Sequence, residues 1–78
     1  MPRGGREQLT APEIRIELLE ILSEDPDTPM SEEAIKTRIR QRTGKVLGFL
    51  DWHEACDAEL TEGRIERSSR TFLRLKLD

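Results

Sequence analysis

Four apolar residues, Ile14, Leu18, Ile21 and Leu22, recur at helical spacing with Leu19 beside them, while Glu13, Glu17, Glu20 and Glu24 fall on the other side. This pattern predicts an amphipathic helix with an acidic outer face. Thr10 followed three residues later by Glu13 is a capping box, which places the helix start there. Pro26 and Pro29 within Asp25-Pro26-Asp27-Thr28-Pro29 cannot continue a helix interior, so it ends near Ser23 or Glu24. Ser31 is a second N-cap, with Glu32 and Glu33 in the first turn where the helix dipole favours negative charge. Ala34, Ile35 and Ile39 supply the inner stripe of this second helix, and Gly44 stands where a left-handed stop is expected. Beyond Gly48, the residues Phe49, Trp52, His53, Cys56 and Leu60 line one side of a third helix that Gly63 closes. The period then changes to two: Ile65 lies in a short run over residues 64–67, and Leu73, Leu75 and Leu77 alternate with Phe72, Arg74 and Lys76. Ser68-Ser69-Arg70 is the turn between two strands, without the Gly or Asn of a tight two-residue turn.

The order helix, helix, helix, strand, strand within 78 residues resembles the winged-helix variant of the helix-turn-helix domain. The local wording agrees over residues 10–77. The second helix reads SEEAIKTRIRQRTG, a short turn follows, and the third ends in AELTEGRIERSS before TFLRLKL. Leu60, Gly63 and Ile65 form the Leu-x-x-Gly-x-Ile run in which a helix makes its last core contact, stops, and feeds the first inward residue of the wing. Many members carry an apolar residue four before that glycine, where this chain has Glu59, and the wing here is short. The resemblance implies an α+β winged helix-turn-helix with three helices followed by a two-stranded hairpin, and leaves room for a third short strand between the first two helices. Its expected core is Ile14, Leu18, Leu22, Ile35, Ile39, Phe49, Cys56, Leu60, Ile65, Leu73 and Leu75. The segment MPRGGREQ has no apolar period and reads as a mobile tail, so the expected division is a tail over residues 1–9 and a domain over residues 10–78.

A chain this short buries only roughly 60% of its unfolded surface, which excludes a two-domain enzyme with an interdomain cleft. No stretch approaches the roughly 18 apolar residues of a membrane span, and the N-terminus lacks a signal peptide's apolar region, so a cytoplasmic location, or a nuclear one in a eukaryote, is expected. One cysteine, Cys56, and one histidine, His53, cannot make a disulfide or a four-ligand zinc site. His53 and Cys56 are three apart on one helical face, but nothing signals oxyanion donors or a pocket, and no phosphate-binding glycine motif occurs. The expectation is a non-enzyme without cofactor, metal or small-molecule substrate.

Charge alternates in sign element by element. Residues 11–30 hold six acids against Arg15; residues 31–47 hold Lys36, Arg38, Arg40, Arg42 and Lys45 against Glu32 and Glu33. Residues 48–63 hold Asp51, Glu54, Asp57, Glu59 and Glu62 with no base, and residues 64–77 hold Arg64, Arg67, Arg70, Arg74 and Lys76 against Glu66. In the winged-helix family the third helix ordinarily reads base edges in the major groove, and here that helix is anionic, which opposes it.

Two functions of different class follow. The first is a DNA-binding, transcription-regulatory module that holds phosphates through Lys36, Arg38, Arg40, Arg42 and Lys45 of the second helix and its turn, with Arg67, Arg70 and Arg74 of the wing, positional rather than sequence-reading. Arg3 and Arg6 of the tail would add a minor-groove arm. The second is a protein-interaction or dimerisation module that uses Asp51, Glu54, Asp57 and Glu62 on the third helix, with Trp52 and Phe72 as apolar anchors. The acidic pI of 5.2 favours the second. A plainer account stays open beside both, in which the bases of the second helix pair internally with the acids of the third, or simply make a solvated face. Trp52 has the same two sides, an interface anchor or a core residue with its indole N–H in water. Ile16 and Leu50 fall off the apolar stripes.

Overall fold

The computed structural model describes residues 7–76. Helix α1 (Ala11–Ser23) starts from the capping box: the Glu13 amide donates to Thr10 Oγ1, and the Thr10 amide donates back to Glu13 Oε1 at 2.9 Å. The two-residue strand β1 (Met30–Ser31) precedes α2 (Glu32–Thr43), whose N-cap is Ser31, accepting from the Ala34 amide at 3.1 Å. Helix α2 stops at Gly44 and α3 (Phe49–Glu62) stops at Gly63, with φ of 68° and 79°. Those are left-handed values that a side chain adopts only with strain, so both stops need glycine.

The chain then forms β2 (Ile65–Arg67) and β3 (Phe72–Leu75). The sheet is antiparallel with order β1-β3-β2, so the short strand between α1 and α2 completes one edge. Its register sets Met30 opposite Leu73 on one side of β3, and Ile65 opposite Leu75 on the other. Instead of a tight turn, the hairpin uses a loop over residues 68–71, closed by the Ser68 amide on the Phe72 carbonyl at 3.0 Å. With no Gly or Asn available in the loop, no non-glycine residue among the described ones takes a positive φ, and the longer loop avoids that strain. This is a small α+β winged helix-turn-helix: three helices and a hairpin wing.

Helix α1 is the hub, packed against α2, α3 and β3. The core comprises Leu9, Ala11, Ile14, Leu18, Ile21, Leu22, Ile35, Ile39, Trp52, Ala55, Cys56, Ile65 and Leu73, with Leu60 and Leu75 partly buried against it. Each fully buried Leu or Ile contributes about 1.5–3 kcal/mol relative to exposure. Three expectations are corrected. Phe49 is 70% exposed, because the buried strip of α3 runs Trp52, Ala55, Cys56, Glu59 and its centre lies about 70° around the helix from Phe49. His53 is exposed for the same reason. The segment over residues 7–9 belongs to the fold: Leu9 is buried, and the strand-like exchange of Leu9 N–H to Val46 O and Val46 N–H to Glu7 O, both 2.9 Å, ties it to the α2–α3 connection. The expected arm residues Arg3 and Arg6, and the strand residue Leu77, lie outside the described residues.

Candidate interaction surface

Local helix geometry places the bases of α2 on its outer side, and the packing of α2 on α1 brings them against the acidic row of α1. Arg42 reaches three carboxylates: Nε to Glu17 at 2.8 Å, Nη2 to Glu20 at 2.5 Å and Nη1 to Glu24 at 3.4 Å. Arg38 also holds Glu24, at 2.5 Å. Lys45 lies between Glu13 and Glu7 at 3.4 and 3.5 Å, and Lys36 pairs with Glu33 at 3.3 Å while its ammonium stands over the Trp52 ring. On the wing, Arg67 donates to Glu32 at 2.7 Å and Arg74 pairs with its cross-strand partner Glu66 at 2.7 Å. Of the eight bases expected to hold phosphates, only Arg40 and Arg70 have no carboxylate partner among the described residues; Lys76 is a third such cation. The internal match is therefore between α2 and α1, and between the wing and its own or α2's acids. The acids of α3 take no part in pairing the bases of α2; Glu59 and Glu62 pair instead with Arg15 of α1 and with Arg64.

Trp52 is 1% exposed and its indole N–H donates to Glu32 Oε1 at 3.1 Å rather than to water. Burial pushes the Glu32 carboxyl up, but the hydrogen bonds from Arg67 and Trp52 outweigh it and hold the group below its ordinary value. Trp52 is thus a core residue and not available to a partner. Glu59, at the position where an apolar residue is usual, is 1% exposed. Arg15 Nε donates to it at 2.5 Å and Arg64 Nε at 2.6 Å, and both arginines also hold Glu62. Burial raises the Glu59 pKa, but the contacts of the two guanidiniums lower it by more, with a net fall. A shallow groove of about 270 Å³ beside this cluster is lined by Pro12, Ile16 and Leu19. Glu62 is consequently committed inside the molecule, and Asp51 accepts the Gln8 side-chain amide at 3.0 Å. Both leave the set of free acids.

What remains on α3 is its outward side. Phe49 and Leu50 are 70% and 78% exposed, and the His53 ring meets Phe49 edge-on with centroids 4.4 Å apart. One and two turns along from Leu50 stand Glu54 and Asp57, exposed and without a hydrogen bond or ion pair among the described residues. The helical rise puts them about 6 and 10 Å from Leu50 along the axis. An apolar end followed by two open carboxylates is an arrangement that the sequence pattern hides, because Phe49 and His53 lie on the same periodic stripe as the core residues Trp52 and Cys56. Leu50 falling off that stripe was the available signal. Phe72 is 40% exposed on β3, whereas α3 packs against α1 and β2, so it belongs to a different surface.

Cys56 is buried, and burial pushes its thiol up to about 12, while His53 faces outward with its ring on Phe49. They do not form a nucleophile–base pair. Among the described residues no cluster of His, Cys, Asp or Glu is placed to hold a metal, and no helix is long and apolar enough to cross a membrane. Comparison of the chain with protein-family models, with curated proteins and with solved structures gave no match.

Proposed function

We propose that this chain is a winged-helix protein-interaction module whose docking element is α3. The observation that carries this reading is the contrast in availability. Phe49 and Leu50 are open beside the uncommitted carboxylates Glu54 and Asp57, whereas most bases of α2 and the wing already hold carboxylates. Exposed large apolar residues grouped with polar ones mark interaction sites more often than isolated ones do. Nucleic-acid binding through α2 would require Arg38, Arg42 and Lys45 to give up their partners for phosphates. It retains Arg40, Arg70 and Lys76, and a module with three free cations would show a slope of about −2.7 in log K against log salt.

The test is site-specific photo-crosslinking in the cells that make the protein, with the photoreactive residue at position 50 and, as control, at the exposed Thr37 of α2. A discrete protein adduct from position 50 and none from position 37 is expected. Absence of any adduct from position 50 overturns the reading. Anisotropy with labelled duplex DNA at two salt concentrations runs in parallel: salt-dependent binding lost in Arg40→Glu/Arg70→Glu replaces it with the nucleic-acid function.

A further inference from the structure

We infer that the occupant of the α3 face is the wing of a second copy of this chain, an inference that rests on the docking role proposed for α3. The reasoning starts from what the internal ion pairs leave over. Among the described residues the unpaired cations are Arg40, Arg70 and Lys76, and two of the three belong to the hairpin. Alternation along β3 puts Phe72, Arg74 and Lys76 on its outward side, with Leu73 turned into the core. Phe72 is the exposed apolar residue there, Arg70 sits just before it in the loop, and Arg74 remains half-exposed while holding Glu66. The wing therefore presents an apolar anchor flanked by unpaired cations, Arg70 before it in the loop and Lys76 about 13 Å along the strand, with the Glu66-paired Arg74 between Phe72 and Lys76. The α3 face presents an apolar anchor followed by carboxylates about 6 and 10 Å away.

The two faces are complementary in sign, each with an exposed apolar anchor among unpaired charges, and every copy carries one of each. Neither face is self-complementary: α3 against α3 sets Glu54 and Asp57 against their own kind, and wing against wing does the same with Arg70 and Lys76. The contact is consequently heterologous, α3 to wing. Two copies satisfy it reciprocally if the geometry closes, and a growing chain forms if it does not. Apolar anchoring of Phe72 beside Phe49 and Leu50 supplies the attraction, and the charges set direction and exclude the like-sign pairings.

The experiment is a charge-swap pair. Variant one is Glu54→Lys/Asp57→Lys, and variant two is Arg70→Glu/Lys76→Glu; all four side chains are exposed and unpaired among the described residues, and circular dichroism checks that both variants fold. Sedimentation velocity of the native chain over a concentration series should show self-association, weakened by salt. Each variant alone should associate roughly tenfold more weakly or worse. Mixed together they should recover it, since the basic α3 of one faces the acidic wing of the other. A native chain that stays monomeric at all concentrations, or a mixture no better than either variant alone, overturns the inference. If position 50 still gives an adduct that is not a multiple of this chain's own mass, α3 docking stands and its occupant is another protein with a basic, apolar-anchored surface. If position 50 gives none, both fall.

Discussion

Helices α2 and α3 are of similar length, 12 and 14 residues, and each carries a row of like charges on its outer side. They differ in what becomes of those charges. The row on α2 closes onto the acidic row of α1, so that Arg42 alone gathers Glu17, Glu20 and Glu24. On α3 the charges divide: Glu59 and Glu62 are locked by Arg15 and Arg64, Asp51 is held by Gln8, and Glu54 and Asp57 are left open. The charge of an element in isolation thus says little about what it offers a partner. What counts is the remainder after internal pairs are subtracted, and that remainder is acidic on α3 and basic on the wing.

The comparison is sharpest within α3, between two glutamates five residues apart. Glu59→Ala removes a buried carboxylate that two guanidiniums converge on and should cost about 2–3 kcal/mol, below the full cost of breaking a buried pair because Arg15 and Arg64 keep Glu62 and partial access to water. Glu54→Ala should change stability by less than about 0.5 kcal/mol. Urea denaturation of the two variants checks this. Equal losses would mean that Glu59 is not the anchor its contacts describe.

Acid titration probes the same cluster. Glu59 and Glu32 both have folded-state pKa values below the ordinary 4.5, so the stability they contribute is fully present above that value and is lost as pH falls through the lower folded-state values. Glu59→Gln, already neutral, should be less stable at neutral pH and should lose less on acidification below about 4.5. Parallel curves for the native chain and Glu59→Gln would contradict the cause given for the shift.

How much of this could be read from residues alone divides along the same line. The caps at Thr10 and Ser31 and the stops at Gly44 and Gly63 were legible, because each is a local device written within four residues. The three helices and the hairpin follow from period and punctuation, whereas the strand at Met30–Ser31 is two residues long and has no period of its own; only the winged-helix resemblance leaves room for it. Pairings over long sequence distances were not legible: Arg15 to Glu59 spans 44 positions, and a buried carboxylate looks like a surface one until both of its partners are in place. Leu9 escaped because a single apolar residue has no period. Phe49 and His53 are exposed although they share the stripe, because a helical stripe fixes which residues share a side but not which edge of it faces the core, and here the edge of Trp52, Ala55, Cys56 and Glu59 does.

A weaker contrast concerns α2 alone. Arg42→Glu places a fourth carboxylate among Glu17, Glu20 and Glu24 and should lower the thermal midpoint clearly. Arg40→Glu, on the same helix and two residues away, disturbs no pair among the described residues and should leave the midpoint nearly unchanged. High salt should shrink the difference, since screening weakens the repulsion that Arg42→Glu introduces. A difference that persists in molar salt would point to lost packing of the Arg42 stem on α1 instead.

The smallest expected effect on the fold is also the one that separates folding from function most cleanly. Leu50 is 78% exposed, so Leu50→Ser removes almost no buried surface and should alter stability by less than about 0.5 kcal/mol. Ile14 is fully buried on α1, and Ile14→Ala should cost about 2–5 kcal/mol. If α3 is the docking element, Leu50→Ser should nonetheless weaken association measured by sedimentation, leaving the midpoint of unfolding where it was. A protein that keeps both its stability and its association after losing Leu50 has no docking role for that side chain. One that loses stability instead would place Leu50 against something within the fold.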